Sequence, residues 1–191
     1  MFSVLRKVAF LDRDGVINID YGYVYRAEDF HFINGSLFAM RKLMNLGFDL
    51  IIVSNQSGIA RGFYTEVDHS RLEIFIRTEL FAQGISLLAY YYCPHHPEGV
   101  VERYSLECSC RKPNPGMILK ANNDFNISMD SSIIVGDKLS DMEAGMLAGL
   151  KQGFLVIDRD LDKTGNGTTV CKDNQFNIVQ VTNMLGVLDW V

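Results

Sequence analysis

Residues 8–15 read VAFLDRDG. Four consecutive apolar residues run straight into two aspartates and a glycine. A short unbroken apolar run that ends at a turn signal reads as a buried strand. The polar residues that follow it would then stand at the strand's carboxyl end.

The same pattern recurs along the chain. FDLIIVS (48–54), ISLLAYYY (85–92), SSIIVG (131–136) and GFLVI (153–157) read as further buried strands. Between them lie segments with helical spacing. GSLFAMRKLMNLG (35–47) ends on a capping glycine. TEVDHSRLEIFIRTELFAQG (65–84) opens with Thr65 as a cap. Asn114 and Pro115 read as the cap and first residue of a helix through MILKANNDF. SDMEAGMLAG (140–149) is a short helix. In the tail, TTVCK reads as a strand and FNIVQVTNMLGVL as a helix. Strands alternating with helices predict an α/β sandwich with a mostly parallel sheet, in one domain over residues 1–191. Ligands in such sheets bind beyond the carboxyl ends of the strands.

Composition narrows the function. The formal net charge is −5, with no basic run, which argues against a nucleic-acid partner. No apolar run reaches the ~18 residues expected of a membrane helix. The start, MFSVLRKVAFLDRDG, places its positive charges after a short apolar stretch and does not read as a signal peptide. The expectation is a cytoplasmic protein acting on a small molecule. Nothing in the sequence demands more than a monomer.

Three strand ends could share one site. The first delivers Asp12 and Asp14, the second Ser54 and the loop Asn55-Gln56-Ser57, the fourth Asp137 and Lys138. A loop or turn accounts for D-x-D-G taken alone. Its place directly after a buried strand, matched by the other strand ends, favours a site. Two carboxylates this close repel unless a cation sits between them. Hard oxygen donors around a partly open position suit Mg²⁺. An aspartate there can attack a phosphoryl group while its neighbour moves the proton. Ser54, loop amides and Lys112 could steady the phosphoryl oxygens.

FLDRDG, the serine after IIV, RKP and VGD resemble, in order, the four motifs of the haloacid dehalogenase (HAD) phosphatase superfamily. The resemblance implies a Rossmann-like three-layer sandwich without a large cap domain. Asp12 would be the nucleophile and Asp14 the general acid/base. Ser54 and Lys112 would hold the phosphoryl group. Mg²⁺ would lie on the side chains of Asp12 and Asp137 and the backbone carbonyl of Asp14. Asp141 reads equally as an orienting residue, for Lys138 or another group, and as a solvated residue in the first helical turn.

The remaining cysteines are informative. Cys93-x-His95 is followed, after twelve residues, by Cys108-x-Cys110. Three sulfurs and an imidazole form a normal tetrahedral set for structural zinc, although the one-residue spacing is tighter than in zinc fingers. Disulfides are disfavoured by compartment, and a catalytic thiol would duplicate a nucleophile already present. His96 is an alternative to His95. A zinc-pinned loop over 93–110 would aim Arg111 and Lys112 at the site. Cys171 reads as a small buried hydrophobe, and His31 and His69 carry no assigned role.

Within the superfamily, FLDRDGVIN, DYGYV (20–24), SNQSGIARG (54–62), YYCPHHPEG, CSCRKPNPGM and VGDKLSDMEAG are similar to the heptose bisphosphate phosphatases. The histidinol-phosphate phosphatase domain shares the C-x-H…C-x-C pattern around a shorter insert. The heptose family implies a sugar bisphosphate substrate and a step of nucleotide-activated heptose synthesis, for lipopolysaccharide core or S-layer. Asp20, Tyr21, Gly22 and Tyr23 would line the substrate entrance. Asn55, Gln56, Ser57, Arg111 and Lys138 would contact the substrate, Arg111 as a bidentate phosphate binder.

Overall fold

A computed structural model describes residues 5–157, 168–172 and 175–191. Within these residues, seven strands form one sheet: β1 Val8–Leu11, β2 Asp49–Asn55, β3 Leu87–Cys93, β4 Ile133–Gly136, β5 Gln152–Val156, β6 Thr168–Lys172 and β7 Asn177–Val181. Their order is β3-β2-β1-β4-β5-β7-β6. All neighbours pair in parallel except β6, which runs antiparallel to β7 at the edge.

The unbroken apolar reading of β1 is explained by burial on both faces. Ala9 and Leu11 pack with Leu50, Ile52, Ile133 and Val135 on one side. Val8 and Phe10 pack with Ile51, Val53 and Ile134 on the other. Helices α1 (Ser36–Asn45) and α2 (Glu66–Ala82) supply Met40, Leu43, Leu72 and Ile76 to the first core. Helices α3 (Gly116–Phe125) and α4 (Leu139–Ala148) supply Met117, Ile118 and Met142 to the second. The result is the expected three-layer sandwich. Among the described residues, no helix is long and apolar enough to cross a membrane.

Thr65 caps α2 as expected. Its Oγ1 accepts from the Asp68 amide at 3.2 Å, and the Asp68 carboxylate accepts from the Thr65 amide at 3.0 Å. This reciprocal box satisfies two amides that the helix itself leaves open.

Two local readings need correction. The helix after Asn114 begins at Gly116, with Pro115 in the cap position, and Asn114 instead donates its Nδ2 to the Cys108 carbonyl at 2.7 Å. In the tail, Asn177–Val181 is a strand, and only Met184–Asp189 coils, as a 3-10 helix. Ile178, Val179 and Val181 are β-branched, and pairing beside β5 buries Val179 and Val181. The side chain of Cys171 lies outside the described residues. His69 is buried beneath Tyr90 and Tyr92, and burial holds its pKa down at about 4, so it packs as a neutral core residue.

Candidate active site

The order of the sheet reverses at β1, which has β2 on one side and β4 on the other. A crevice forms where a parallel sheet switches direction. Asp12, Ser54 and Asp137 stand there, at or just beyond the ends of β1, β2 and β4. A cleft of about 460 Å³ opens above Asp12 and Ser54.

Asp12 is 6% exposed and accepts from the Arg13 amide at 2.8 Å and from Lys112 Nζ at 2.9 Å. Burial pushes its pKa up to about 7, with Asp141, Asp14 and Asp137 adding to the rise and Lys112 opposing it. Asp137 is raised in the same direction, again chiefly by burial. Its Oδ1 is buried without a hydrogen-bond partner. Carboxylate oxygens of Asp12, Asp137 and Asp141 lie within 4.8 Å of one another. An orphaned acceptor beside a second buried carboxylate fits a small hard cation, which would repay the desolvation of both groups. Gly15 makes the approach possible: its φ is +80°, and a Cβ there would stand 2.5 Å from Asp137 Oδ2. The glycine of D-x-D-G therefore serves both a left-handed turn and the close passage of Asp137.

Asp14 is held from three sides. The buried Arg13 guanidinium forks onto it, with Nη2 at 2.7 Å and Nε at 3.1 Å, and also donates to the Val24 carbonyl. Asn18 Nδ2 donates to its Oδ1 at 3.0 Å, and Gln56 Nε2 to its Oδ2 at 3.1 Å.

Lys112 is buried under the cleft. Its Nζ donates to the Val53 carbonyl at 2.7 Å and lies 2.6 Å from Asp141 and 2.9 Å from Asp12. Burial would lower its pKa, but the two aspartates overcome that and raise it, so the ammonium stays charged. Its backbone is clamped by Asn55, whose Nδ2 donates to the Lys112 carbonyl at 2.9 Å and whose Oδ1 accepts from the Lys112 amide at 3.0 Å. Asp141 is thus a buried partner of Lys112 and of the Lys138 amide, with 1% exposure, and the solvated alternative falls away. Gly136 leaves it room, since a Cβ there would fall 2.3 Å from Asp141 Cβ. Gly136→Ala is expected to destabilise the protein by about 2 kcal/mol or more, read as a lowered denaturant midpoint, because core atoms must move apart.

The cleft brings together Asp12, Asp14, Asp20, Gly22, Tyr23, Ser54, Asn55, Gln56, Ser57, Arg111, Lys112 and Lys138. Tyr21 does not join them: it is 61% exposed and turns its ring toward His31. Sequence reasoning missed Arg13, Asn18 and Tyr64. An arginine flanked by two aspartates was a usable signal for the first. Tyr64 offered none.

Beside the cleft, the predicted metal ligands converge. Cys93 Sγ lies 3.5 Å from Cys108 Sγ and 3.2 Å from Cys110 Sγ, and His95 Nδ1 lies 3.6 Å from Cys93 and 3.4 Å from Cys110. A tetrahedron with bonds of about 2.3 Å has edges of about 3.8 Å, so the set fits zinc with a small expansion. The Cys110 thiol is held down at about 5, chiefly by its hydrogen bonding with Cys93 and against its own burial. His96 is engaged elsewhere, with Nδ1 accepting from the Glu98 amide at 3.1 Å, which leaves His95 as the fourth ligand. Arg111, next to Cys110, donates to the His95 carbonyl at 3.3 Å.

Comparison with known proteins agrees with this geometry. A family model described as HAD-hydrolase-like matches residues 109–158. D-glycero-alpha-D-manno-heptose-1,7-bisphosphate 7-phosphatase of Photorhabdus laumondii is 44% identical over 168 residues, covering 88% of each chain. The D-glycero-beta-D-manno-heptose-1,7-bisphosphate 7-phosphatase of Escherichia coli K12 is 48% identical over 147 residues, covering 77% of each. The D,D-heptose 1,7-bisphosphate phosphatase of B. bronchiseptica, solved with magnesium and phosphate, superimposes with a TM-score of 0.73 at 26% identity, covering 97% of this chain and 99% of that one. These relatives mark the chain as a phosphoric monoester hydrolase on a Rossmann-like sheet. The chain belongs to the HAD-like hydrolases, in the family of the heptose 1,7-bisphosphate 7-phosphatases.

Proposed function

We propose that the protein hydrolyses the 7-phosphate of D-glycero-D-manno-heptose 1,7-bisphosphate through an aspartyl-phosphate on Asp12. The supporting observation is the convergence of Asp12, Ser54 and Lys112, carried by three separate segments, on the floor of one cleft. Mg²⁺ on Asp12, Asp137 and the Asp14 carbonyl would neutralise charge on the phosphoryl group. An Asp12 oxygen attacks phosphorus as the bond to the sugar oxygen breaks. Asp14 gives that oxygen its proton, then takes one from a water that attacks the aspartyl-phosphate, releasing inorganic phosphate and restoring Asp12. Lys112 and the Ser54 hydroxyl donate to the phosphoryl oxygens. Cys93, His95, Cys108 and Cys110 would hold a structural zinc, which would fix the loop and take no part in the reaction.

The second phosphate has cations waiting for it. Arg111 and Lys138 both line the cleft, and Lys138 Nζ stands 3.8 Å from Asp20 with its side chain 59% exposed. A phosphate there would take up Lys138 and the Arg111 fork. Phosphate release from both anomers of the heptose bisphosphate, with Mg²⁺, tests the reading against histidinol phosphate as competitor. A higher kcat/KM for histidinol phosphate would overturn it. Arg111→Ala should raise KM for the bisphosphate about tenfold or more, the worth of one charge-assisted contact, and leave p-nitrophenyl phosphate turnover nearly unchanged.

A further inference from the structure

Tyr64 lies outside every motif, ten residues beyond Ser54 on the turn into α2. It is 5% exposed, and its hydroxyl donates to Gln56 Oε1 at 2.6 Å. Burial raises its pKa above the ordinary phenol value, so the hydroxyl keeps its proton. Gln56 is 2% exposed and spends its amide nitrogen on two partners, Ser54 Oγ at 2.8 Å and Asp14 Oδ2 at 3.1 Å.

An amide has one acceptor end and one donor end. Turned over, Gln56 would set its oxygen against the Asp14 carboxylate and its nitrogen against the Tyr64 oxygen. The Asp14 carboxylate therefore selects the orientation in which Gln56 donates, and the Tyr64 hydroxyl secures the other end of the amide. Ser54 Oγ then already accepts a hydrogen bond, so its own proton is left to point into the cleft.

We propose that Tyr64, acting through Gln56, is a positioning residue that orients Asp14 and the Ser54 proton for phosphoryl transfer. The inference rests on the roles given above to Asp14 and Ser54. It gives Gln56 a task inside the protein, where a direct substrate contact was expected. The ring of Tyr64 is itself fixed. It stacks on Tyr25 at 5.0 Å with an interplanar angle of 10°, and it passes so close to Gly58 that a Cβ there would lie 2.2 Å from Cε1.

A double-mutant cycle with Tyr64→Phe and Gln56→Ala tests it, assayed with Mg²⁺ on both p-nitrophenyl phosphate and the heptose bisphosphate. Tyr64→Phe alone should lower kcat about tenfold with KM within about twofold, the pattern of misplaced groups and not of lost binding. In the Gln56→Ala background the same change should cost nothing further. Equal losses in the two backgrounds, or an unchanged kcat for Tyr64→Phe, would overturn the relay. Gly58→Ala, which must push the ring and its hydroxyl away from Gln56, should show the same dependence on Gln56. Gln56→Glu, which keeps an acceptor for Tyr64 but removes the donor to Asp14 and Ser54, should lower kcat in the same way and serves if Tyr64→Phe folds poorly. Asp14→Asn in the same assays separates the two readings: full activity there removes the acid/base role, while the cycle still reports on Ser54.

Discussion

Asp12→Asn should remove turnover, with kcat lower on the order of 10⁴-fold or more, while the protein remains folded. The amide keeps the shape of the carboxylate but has no oxygen able to form a stable acyl-phosphate. Its Oδ1 can still accept from the Arg13 amide and from Lys112, and Lys112 keeps Asp141 and the Val53 carbonyl as partners. Phosphate release and mass spectrometry of the trapped phosphoenzyme measure the outcome. Turnover near the wild-type rate would end the assignment of the nucleophile. A pH effect accompanies it. The folded pKa of Asp12, about 7, lies above the ordinary carboxylate range because the group is buried. The folded state therefore holds this proton more tightly than the unfolded chain does. Its contribution to stability is fully present below about pH 4 and is lost as pH rises through about 7. Without divalent cation, the wild-type Tm should fall across that window, and Asp12→Asn should fall less and melt a few degrees higher at pH 8. Added Mg²⁺ should reduce or reverse that difference by neutralising the wild-type carboxylates. Equal metal-free melting of the two proteins at pH 8 would show that burial of Asp12 costs less than its surroundings imply.

What the sequence made legible follows from how local each signal is. A strand buried on both faces has no alternation, so VAFL and LIIV declare themselves, and the polar residue that ends each run marks the site edge of the sheet. The metal ligands also stand close together in pairs, which preserves their spacing as a pattern. The tail misled because Asn177–Val181 is a strand whose burial depends on pairing with β5, a partner that a local window does not contain. Asn114 is drawn away from its cap by the Cys108 carbonyl, a contact made only once the loop has closed. Tyr64 is the extreme case: its bond to Gln56 exists because Gly58 lets the turn fold back over its own start.

Loss of zinc should disable the enzyme while most of the sheet survives. Cys108→Ser or exhaustive chelation should remove the metal and lower kcat/KM on the bisphosphate about 100-fold or more, through misplacement of groups on the cleft wall. Apart from the metal, the loop between Cys93 and Cys108 is held by hydrogen bonds at its edges, among them those of the Val100 and Val101 amides to the Ala60 carbonyl, and by little apolar packing. Its apolar anchorage is a small cluster of Ile59, Ala60, Tyr64 and Tyr104, aided by the hydrogen bond from the Tyr104 hydroxyl to Glu66. The two main cores need no residue between 94 and 107. Local opening is therefore favoured over global unfolding: protease cleavage should appear within 94–110 while far-UV circular dichroism changes little. Activity suffers because Arg111 and Lys112 follow Cys110 directly, and Asn55 alone then clamps the Lys112 backbone. Cys93→Ser should be costlier to stability than Cys108→Ser, since Cys93 is fully buried at the end of β3 and a hydroxyl there would be cut off from water, whereas Cys108 is only partly buried. Elemental analysis should find one zinc per chain in the wild type. A metal-free protein that resists the protease and keeps its kcat/KM would mean that packing, and not the cation, aims Arg111 and Lys112 into the cleft.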